Sequence, residues 1–254
     1  KIPVFQVMVL FIFCALFKSD YSVRANEFKS AGSAVILAYH RFGEGQFPST
    51  SIRMEQFKSH ITELKRKRYN VLPITEIVQK INDRKKLPDF TVGISIDDAY
   101  RSVYEKAWPL LREAKIPFTL FISTDVVDRQ ATGYMSWDQI RELKSAGVTI
   151  GSQTKSHKHL PLISIEDVKQ EVDKANVRIS REIGSRPDLF AYPYGEYNSS
   201  VRQLIKDRGF KAAFTQSSGA LNNSSDIFAL PRFTLNERYG GIDRFRLVVN
   251  ALPL

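Results

Sequence analysis

The chain has 254 residues, of which 43% are hydrophobic and 25% charged. This composition supports a packed globular core and excludes an intrinsically disordered chain. The formal net charge of +10 at pH 7 would suit an anionic surrounding such as a cell envelope. The basic run at 65–68 is short and is interpreted as a solvated helix end, so no nucleic-acid partner is expected.

Residues 1–25 have the pattern of a secretory signal peptide. A positive start at Lys1 precedes an apolar run at 4–17, and polar and small residues follow up to Ala25. The alternative is an uncleaved membrane anchor, but the run is shorter than the ~20 residues that a spanning helix needs. We therefore expect export to the periplasm or the extracellular space, without stable membrane insertion after cleavage. The single cysteine, Cys14, lies in this stretch and leaves the mature chain without a cysteine nucleophile or a thiolate zinc site.

Strand and helix patterns alternate through the rest of the chain, after a polar linker at 26–33. Such alternation indicates parallel βαβ units, and no linker divides 34–254 into two domains. A doubly wound sheet would need a glycine-rich phosphate loop, which is absent, so the α/β fold class is predicted to be a (β/α) barrel. Strands are predicted at 34–39, 71–72, 90–96, 117–123, 148–150, 189–192 and 212–215. Helices are predicted from 54 to 68, from 75 (with Thr75 as its cap) to 81, and at 102–114, 137–146, 165–183 and 199–209.

Two adjacent carboxylates, Asp97 and Asp98, end the strand at 90–96. In βα folds, active sites form at this end of the strands. Alternation along a strand sends the two side chains to different sides, so one can bind a metal while the other acts as a base. The alternative is a capping pair for the following helix, since Asp is a favoured cap.

Two further segments follow strands in the same way. The segment 151–159 carries His157 and His159, whose imidazoles suit zinc, nickel or cobalt; the alternative is solvated loop histidines. The segment 190–197 combines Pro193 and Gly195 with aromatic residues. It predicts a rigid wall of the kind that binds sugars, or an ordinary βα turn.

In this order the three segments resemble the polysaccharide deacetylase family (NodB-like, carbohydrate esterase family 4), over roughly 34–235. The resemblance implies a distorted seven-stranded (β/α) barrel, with Asp97 as general base. Asp98 and His157 would be metal ligands. Arg232, in Ala229-Leu230-Pro231-Arg232, would orient Asp97 through a charge-assisted hydrogen bond. The alternative for Arg232 is an ordinary surface ion pair. The third segment would provide a substrate-binding wall made of Tyr192, Pro193, Tyr194 and Gly195.

Two positions depart from the family pattern. Gln153 stands where the family has its first histidine ligand, and an amide oxygen is a weaker zinc donor than imidazole. Either Gln153 itself or His159, after a bend of the loop, would complete the metal site. The family's C-terminal Leu-x-His, whose histidine is the general acid, is absent. His40 at the end of the first strand is the best substitute, with a buried structural histidine as the alternative.

The resemblance implies a carbon–nitrogen hydrolase that removes N-acetyl groups from an N-acetylglucosamine-containing polysaccharide or oligosaccharide. Its cofactor would be a divalent metal ion, zinc in the first place, with cobalt, nickel or manganese as alternatives. Its partner would be an acetylated glycan of the envelope or extracellular space, and the oligomeric state is left open. Two other functions fit the residues: a catalytically weakened carbohydrate-binding homologue, which metal content would distinguish, and an O-acetyl esterase, which ester substrates would distinguish.

Overall fold

The computed structural model describes residues 32–251 of the protein. The predicted leader at 1–25, with Cys14, lies outside this range. So do nearly all of the predicted linker at 26–33 and the last three residues of the predicted domain.

Ten short strands are present in the described part of the chain. The two longest, β1 (Ala34–Tyr39) and β5 (Thr91–Asp97), are buried at every position, as expected of strands in a parallel sheet that is covered on both faces. The others are β2 Arg41–Phe42, β3 Ser51–Ile52, β4 Asn70–Val71, β6 Thr119–Ile122, β7 Thr149–Ser152, β8 Leu189–Ala191, β9 Ala212–Phe214 and β10 Phe233–Thr234.

Seven of these strands form a curled parallel sheet in the order β10-β1-β5-β6-β7-β8-β9. Strand β4 pairs with β5 beside this path, and β2 and β3 form a separate two-stranded sheet. The edge strands β9 and β10 form no ladder with each other in the described part of the chain. A parallel bridge between Phe214 and Leu230 instead joins β9 to the segment just before β10. The sheet is therefore a distorted seven-stranded (β/α) barrel with a seam between β9 and β10, which confirms the predicted fold class.

Helices cover the outside of the barrel. Their bounds are α1 Met54–Leu64, α2 Ile74–Asn82, α3 Trp108–Glu113, α4 Thr124–Asp128, α5 Trp137–Ser145, α6 Ile165–Ile183, α7 Ser199–Asp207 and α8 Ile242–Val249. The longest, α6, begins and ends as the sequence predicts. The Ser164 side chain accepts the backbone N–H of Asp167, and Gly184 ends the helix with a φ of 73°. Among residues 32–251, no helix is both long and apolar enough to cross a membrane.

Two helix starts differ from the prediction. Thr75 is not a cap, because α2 already begins at Ile74, directly after Pro73, whose ring fixes a φ of −53°. The predicted helix at 102–114 opens with a π-helical turn, Val103–Ala107, in which the N–H of Trp108 bonds the carbonyl of Val103. The following Pro109 has no N–H to continue an α-helical ladder, which accounts for the wider turn.

A buried histidine joins α1 to the first strand and to α8. His60 is only 1% exposed, and its ring stacks on Phe245 with centroids 3.8 Å apart. Its Nδ1 lies 3.0 Å from the Tyr39 hydroxyl and its Nε2 lies 2.9 Å from the Gly240 carbonyl oxygen. These partners fit a neutral ring, in which Nδ1 accepts from Tyr39 and Nε2 donates to Gly240. His60 is therefore a packing residue between β1 and α8.

We predict that His60 makes folding stability depend on pH. Burial lowers its pKa from 6.5 to about 4, although the Gly240 hydrogen bond opposes this shift. Between pH 6.5 and 4, the His60 ring is protonated in the unfolded chain but stays neutral in the folded protein. The contribution of neutral His60 to the free energy of unfolding is therefore complete above pH 6.5 and is lost as the pH falls towards 4. Between pH 7.5 and 4.5, urea unfolding should show a loss about 2.5 kcal/mol larger for the wild type than for His60→Gln. Equal losses in the two proteins would contradict this prediction.

Candidate active site

The carboxyl ends of the barrel strands surround a cavity of about 470 Å³. This is the end of a parallel barrel at which active sites form, and the volume is within the ordinary range for ligand pockets. The lining residues come from loops after β1, β5, β6, β7, β8 and β9 and include His40, Asp98, Tyr100, Tyr134, His157 and Tyr194.

Below the cavity, a fully buried ion pair holds the first aspartate. Two guanidinium nitrogens of Arg232 bond the two carboxylate oxygens of Asp97, at 2.7 and 2.8 Å, and neither side chain is exposed. Arg232 also donates to the Ser95 hydroxyl at 3.0 Å and, through Nε, to the Thr215 carbonyl at 2.9 Å. The predicted contact between Arg232 and Asp97 is therefore present. The interpretation of Arg232 as a surface ion-pair residue is wrong.

His40 lies between this ion pair and the cavity. Its Nε2 is 3.9 Å from Oδ2 of Asp97, its side chain is 8% exposed, and it lines the cavity. Its Nδ1 is buried without a hydrogen-bond partner among the described residues. The ring thus touches both the buried carboxylate and the space where a substrate would lie.

The second aspartate faces the cavity beside a histidine. Oδ1 of Asp98 lies 3.5 Å from Nε2 of His157. Both residues have left-handed backbone, with φ of 72° and 56°, a conformation that non-glycine residues adopt only when their surroundings hold them there. For His157, part of that support is the Thr154 hydroxyl, which accepts its backbone N–H at 3.1 Å.

Gln153 lies at the carboxyl end of β7 and is 1% exposed. Its side-chain oxygen is buried without a hydrogen-bond partner among the described residues. Such an unpaired oxygen is costly unless something binds it. By donor type, this oxygen, the carboxylate of Asp98 and the imidazole of His157 fit a divalent cation.

His159 does not lie where a third metal ligand would have to lie. Its Nδ1 lies 2.7 Å from Oε2 of Glu196, and its ring stacks on Tyr194 with centroids 3.9 Å apart and an angle of 6°. Among residues 32–251, no three His, Cys, Asp or Glu side chains gather as a metal site. His159 therefore does not join Asp98 and His157, because the loop turns its ring outward onto Tyr194.

The residues predicted to form a substrate-binding wall at 192–195 differ in their exposure to the cavity. Tyr192 is fully buried and its hydroxyl donates to the Phe228 carbonyl, and Pro193 is also buried. Tyr194 lines the cavity, with 46% of its surface exposed. Gly195 has a φ of 75°, and a Cβ there would lie 2.4 Å from the backbone nitrogen of Gln216. Of the four residues at 192–195, only Tyr194 is therefore placed to touch a ligand in the cavity.

Two further aromatic residues of the cavity lining were missed by the sequence analysis. Tyr100 and Tyr134 line the cavity with ring centroids 4.8 Å apart. The guanidinium carbon of Arg41 lies 3.5 Å from the Tyr100 centroid. Tyr100 could have been predicted at the site because it follows Asp98 by two residues in the sequence. Tyr134 comes from the loop after α4 and had no signal of its own.

Comparison with known proteins identifies the family of the chain. A sequence model of the family described as polysaccharide deacetylase matches residues 84–213, half of the chain, so the chain belongs to the polysaccharide deacetylase family. It is accordingly a hydrolase of the carbon–nitrogen type. A poly-β-1,6-N-acetyl-D-glucosamine N-deacetylase of Staphylococcus aureus is 26% identical over 231 residues, covering 81% of this chain and 79% of the relative.

Two solved structures share the fold. The deacetylase PplD of Streptococcus pyogenes, in complex with acetate, superposes with a TM-score of 0.79 at 18% identity and covers 87% of this chain and 99% of its own. IcaB from Ammonifex degensii superposes with a TM-score of 0.76 at 24% identity and covers 86% and 97%.

We predict that Arg232→Met destabilises the protein by about 3–5 kcal/mol, because it leaves the Asp97 carboxylate buried without a partner. Adding Asp97→Asn should recover part of the loss by removing the charge. Arg202→Met is the control, since Arg202 forms a similar two-point pair with Asp226 on the exposed surface and should cost under about 1 kcal/mol. Urea unfolding measures all four proteins, and equal losses for the two arginine variants would contradict the prediction.

Proposed function

We propose that the protein removes N-acetyl groups from an N-acetylglucosamine-containing polysaccharide in a metal-dependent reaction. The observation that carries the proposal is the division of the two adjacent aspartates. Asp97 is buried and fixed by Arg232, while Asp98 faces the cavity beside His157. One carboxylate is thus available as a base and the other as a ligand, as hydrolysis of an amide at a metal site requires.

Asp98, His157 and Gln153 would hold the divalent cation. Zinc suits the imidazole and the carboxylate, and the neutral amide oxygen also suits cobalt, nickel or manganese. When bound, the ion polarises the acetyl carbonyl and lowers the pKa of a water. The support for Gln153 as a ligand is its buried, unpaired side-chain oxygen.

The remaining chemistry belongs to the side chains of the protein. Asp97 removes a proton from the water as its oxygen attacks the acetyl carbon. Arg232 keeps the carboxylate in position, and each carboxylate oxygen retains a second lone-pair direction beyond its bond to arginine. The backbone N–H of Tyr194 is proposed to stabilise the developing oxyanion. His40 donates a proton to the leaving nitrogen as the C–N bond breaks, which yields acetate and a free amine.

The substrate assignment rests on the cavity and on the relatives. The exposed ring of Tyr194 offers an apolar face on which a pyranose ring can stack, and Tyr100 and Tyr134 add aromatic edges to the cavity lining. The Staphylococcus aureus relative is named for a β-1,6-linked N-acetylglucosamine polymer, which makes this polymer the first substrate to test. We propose that 34–254 is one catalytic domain that acts outside the cell, where the signal-peptide pattern at 1–25 would send it.

The activity is tested by acetate release from N-acetylglucosamine oligomers with β-1,6 and β-1,4 links, with and without chelator. We expect Asp98→Asn to lose metal binding and acetate release together. Asp97→Asn should keep the metal while kcat falls by about 10²–10⁴, because it removes only the base. A preference for O-acetyl esters over the amides would indicate an esterase. If the wild type neither binds metal nor releases acetate, a carbohydrate-binding homologue remains.

We predict that Gln153→His increases zinc affinity by about tenfold or more, because imidazole is a better zinc donor than an amide oxygen. Isothermal titration with zinc on the metal-free protein measures this change. His159→Gln is the matched control and should leave the affinity unchanged, since the His159 ring faces Glu196 and Tyr194. The opposite pattern, in which His159→Gln weakens binding and Gln153→His has no effect, would assign the third ligand to His159.

A further inference from the structure

The loop at 153–158, called here the ligand loop, carries both Gln153 and His157. Two of its non-glycine residues, Thr154 and His157, have φ of 69° and 56°. Backbone in this region persists only where surrounding contacts determine it. The ligand loop therefore needs support from outside itself.

A buried carboxylate on α6 supplies such contacts. Glu171 is 6% exposed, and the proposed reaction does not use it. Its Oε2 accepts the backbone N–H of Ser156 at 2.7 Å, and its Oε1 accepts the Ser156 hydroxyl at 2.6 Å. One side chain thus satisfies two donors of the residue immediately before His157.

Further contacts near Glu171 also hold the ligand loop against α6. Its carbonyl oxygen accepts the N–H of Lys155 at 3.0 Å, and the ammonium group of Lys158 lies 3.5 Å from Oε1. On the other side, the N–H of Asp125 in α4 donates to the Lys155 carbonyl at 2.9 Å. The ligand loop is thus held between α4 and α6, and Glu171 is the one charged side chain among these contacts that is itself buried.

We propose that Glu171 is a positioning residue that fixes His157 for metal binding. The inference rests on the proposed metal-dependent function, and it assigns Glu171 no contact with substrate or with the reacting atoms. A charged acceptor makes stronger hydrogen bonds than a neutral one. A carboxylate also suits this position because its two oxygens can accept both Ser156 hydrogen bonds and it carries no N–H group that would face the Ser156 donors. Residues that orient metal ligands in this way commonly change metal affinity by 10–100-fold when they are replaced.

The first test is isothermal titration of metal-free protein with zinc alone. We expect Glu171→Ala to raise the Kd for zinc by about 10–100-fold. Glu171→Gln should be intermediate, because its amide oxygen can accept one Ser156 bond but its NH₂ cannot accept the other. Asp173→Ala is the control on the same helix, since Asp173 pairs with Arg208 at the surface, and it should not change the Kd. Equal zinc affinity in the wild type and in both Glu171 variants would overturn the inference while leaving the proposed function intact.

A second readout does not depend on metal. In the metal-free protein, the Ser156 amide should exchange its hydrogen about tenfold faster or more in Glu171→Ala than in the wild type. The amide of Ile94 in the buried strand β5 is the reference and should be unaffected. An unchanged Ser156 rate, or an equal acceleration at Ile94 that indicates general destabilisation, would overturn the positioning role. If the wild type binds neither zinc nor cobalt, nickel or manganese, the proposed metal-dependent function fails and the role in metal binding falls with it. The exchange measurement then shows separately whether Glu171 holds the ligand loop.

Discussion

The buried pair of Asp97 and Arg232 links the fold of this protein to its site. A carboxylate without solvent needs a matched charge and hydrogen bonds, and Arg232 supplies both through two short bonds. The same guanidinium bonds the carbonyl of Thr215, just beyond β9, while Arg232 itself lies directly before β10. The pair therefore also occupies the seam where the barrel lacks a full ladder, so the charge of Asp97 and the closure of the sheet are maintained together.

Around that pair, neighbouring residues in the sequence take different roles because the strand ends there. Asp97 is the last residue of β5 and points into the barrel. Asp98 has a left-handed backbone, with φ of 72°, and turns its carboxylate towards His157 and the cavity. His40 leaves β1 at the same level and lies 3.9 Å from Asp97. The ends of β1, β5 and β7 thus bring the side chains to which the proposed reaction assigns base, acid and metal-ligand roles to one end of the barrel.

The glutamine in the ligand loop changes one donor of the proposed metal site but leaves the hydrogen bonds that hold the loop in place. Gln153 keeps an oxygen buried and unpaired at the position where the family has a histidine, and the contacts of Glu171 and Thr154 with the loop persist around it. An amide oxygen binds zinc more weakly than imidazole. Metal affinity and metal choice are therefore the properties in which this protein is expected to differ from its relatives.

The sequence by itself determined the alternation of strands and helices, the barrel class and the Asp97-Asp98 and His157 motifs, since these depend on local periodicity and on residue type. The contact of Arg232 with Asp97 was predicted from the resemblance to the family. Its complete burial depends on the seam between β9 and β10, which no local sequence pattern indicates. Tertiary structure alone turned His159 away from the cavity and placed Tyr134 in it, because loop direction depends on contacts between residues far apart in sequence. The two-residue strand β10 was too short for any periodic signal, and its pairing with β1 exists only in the folded barrel.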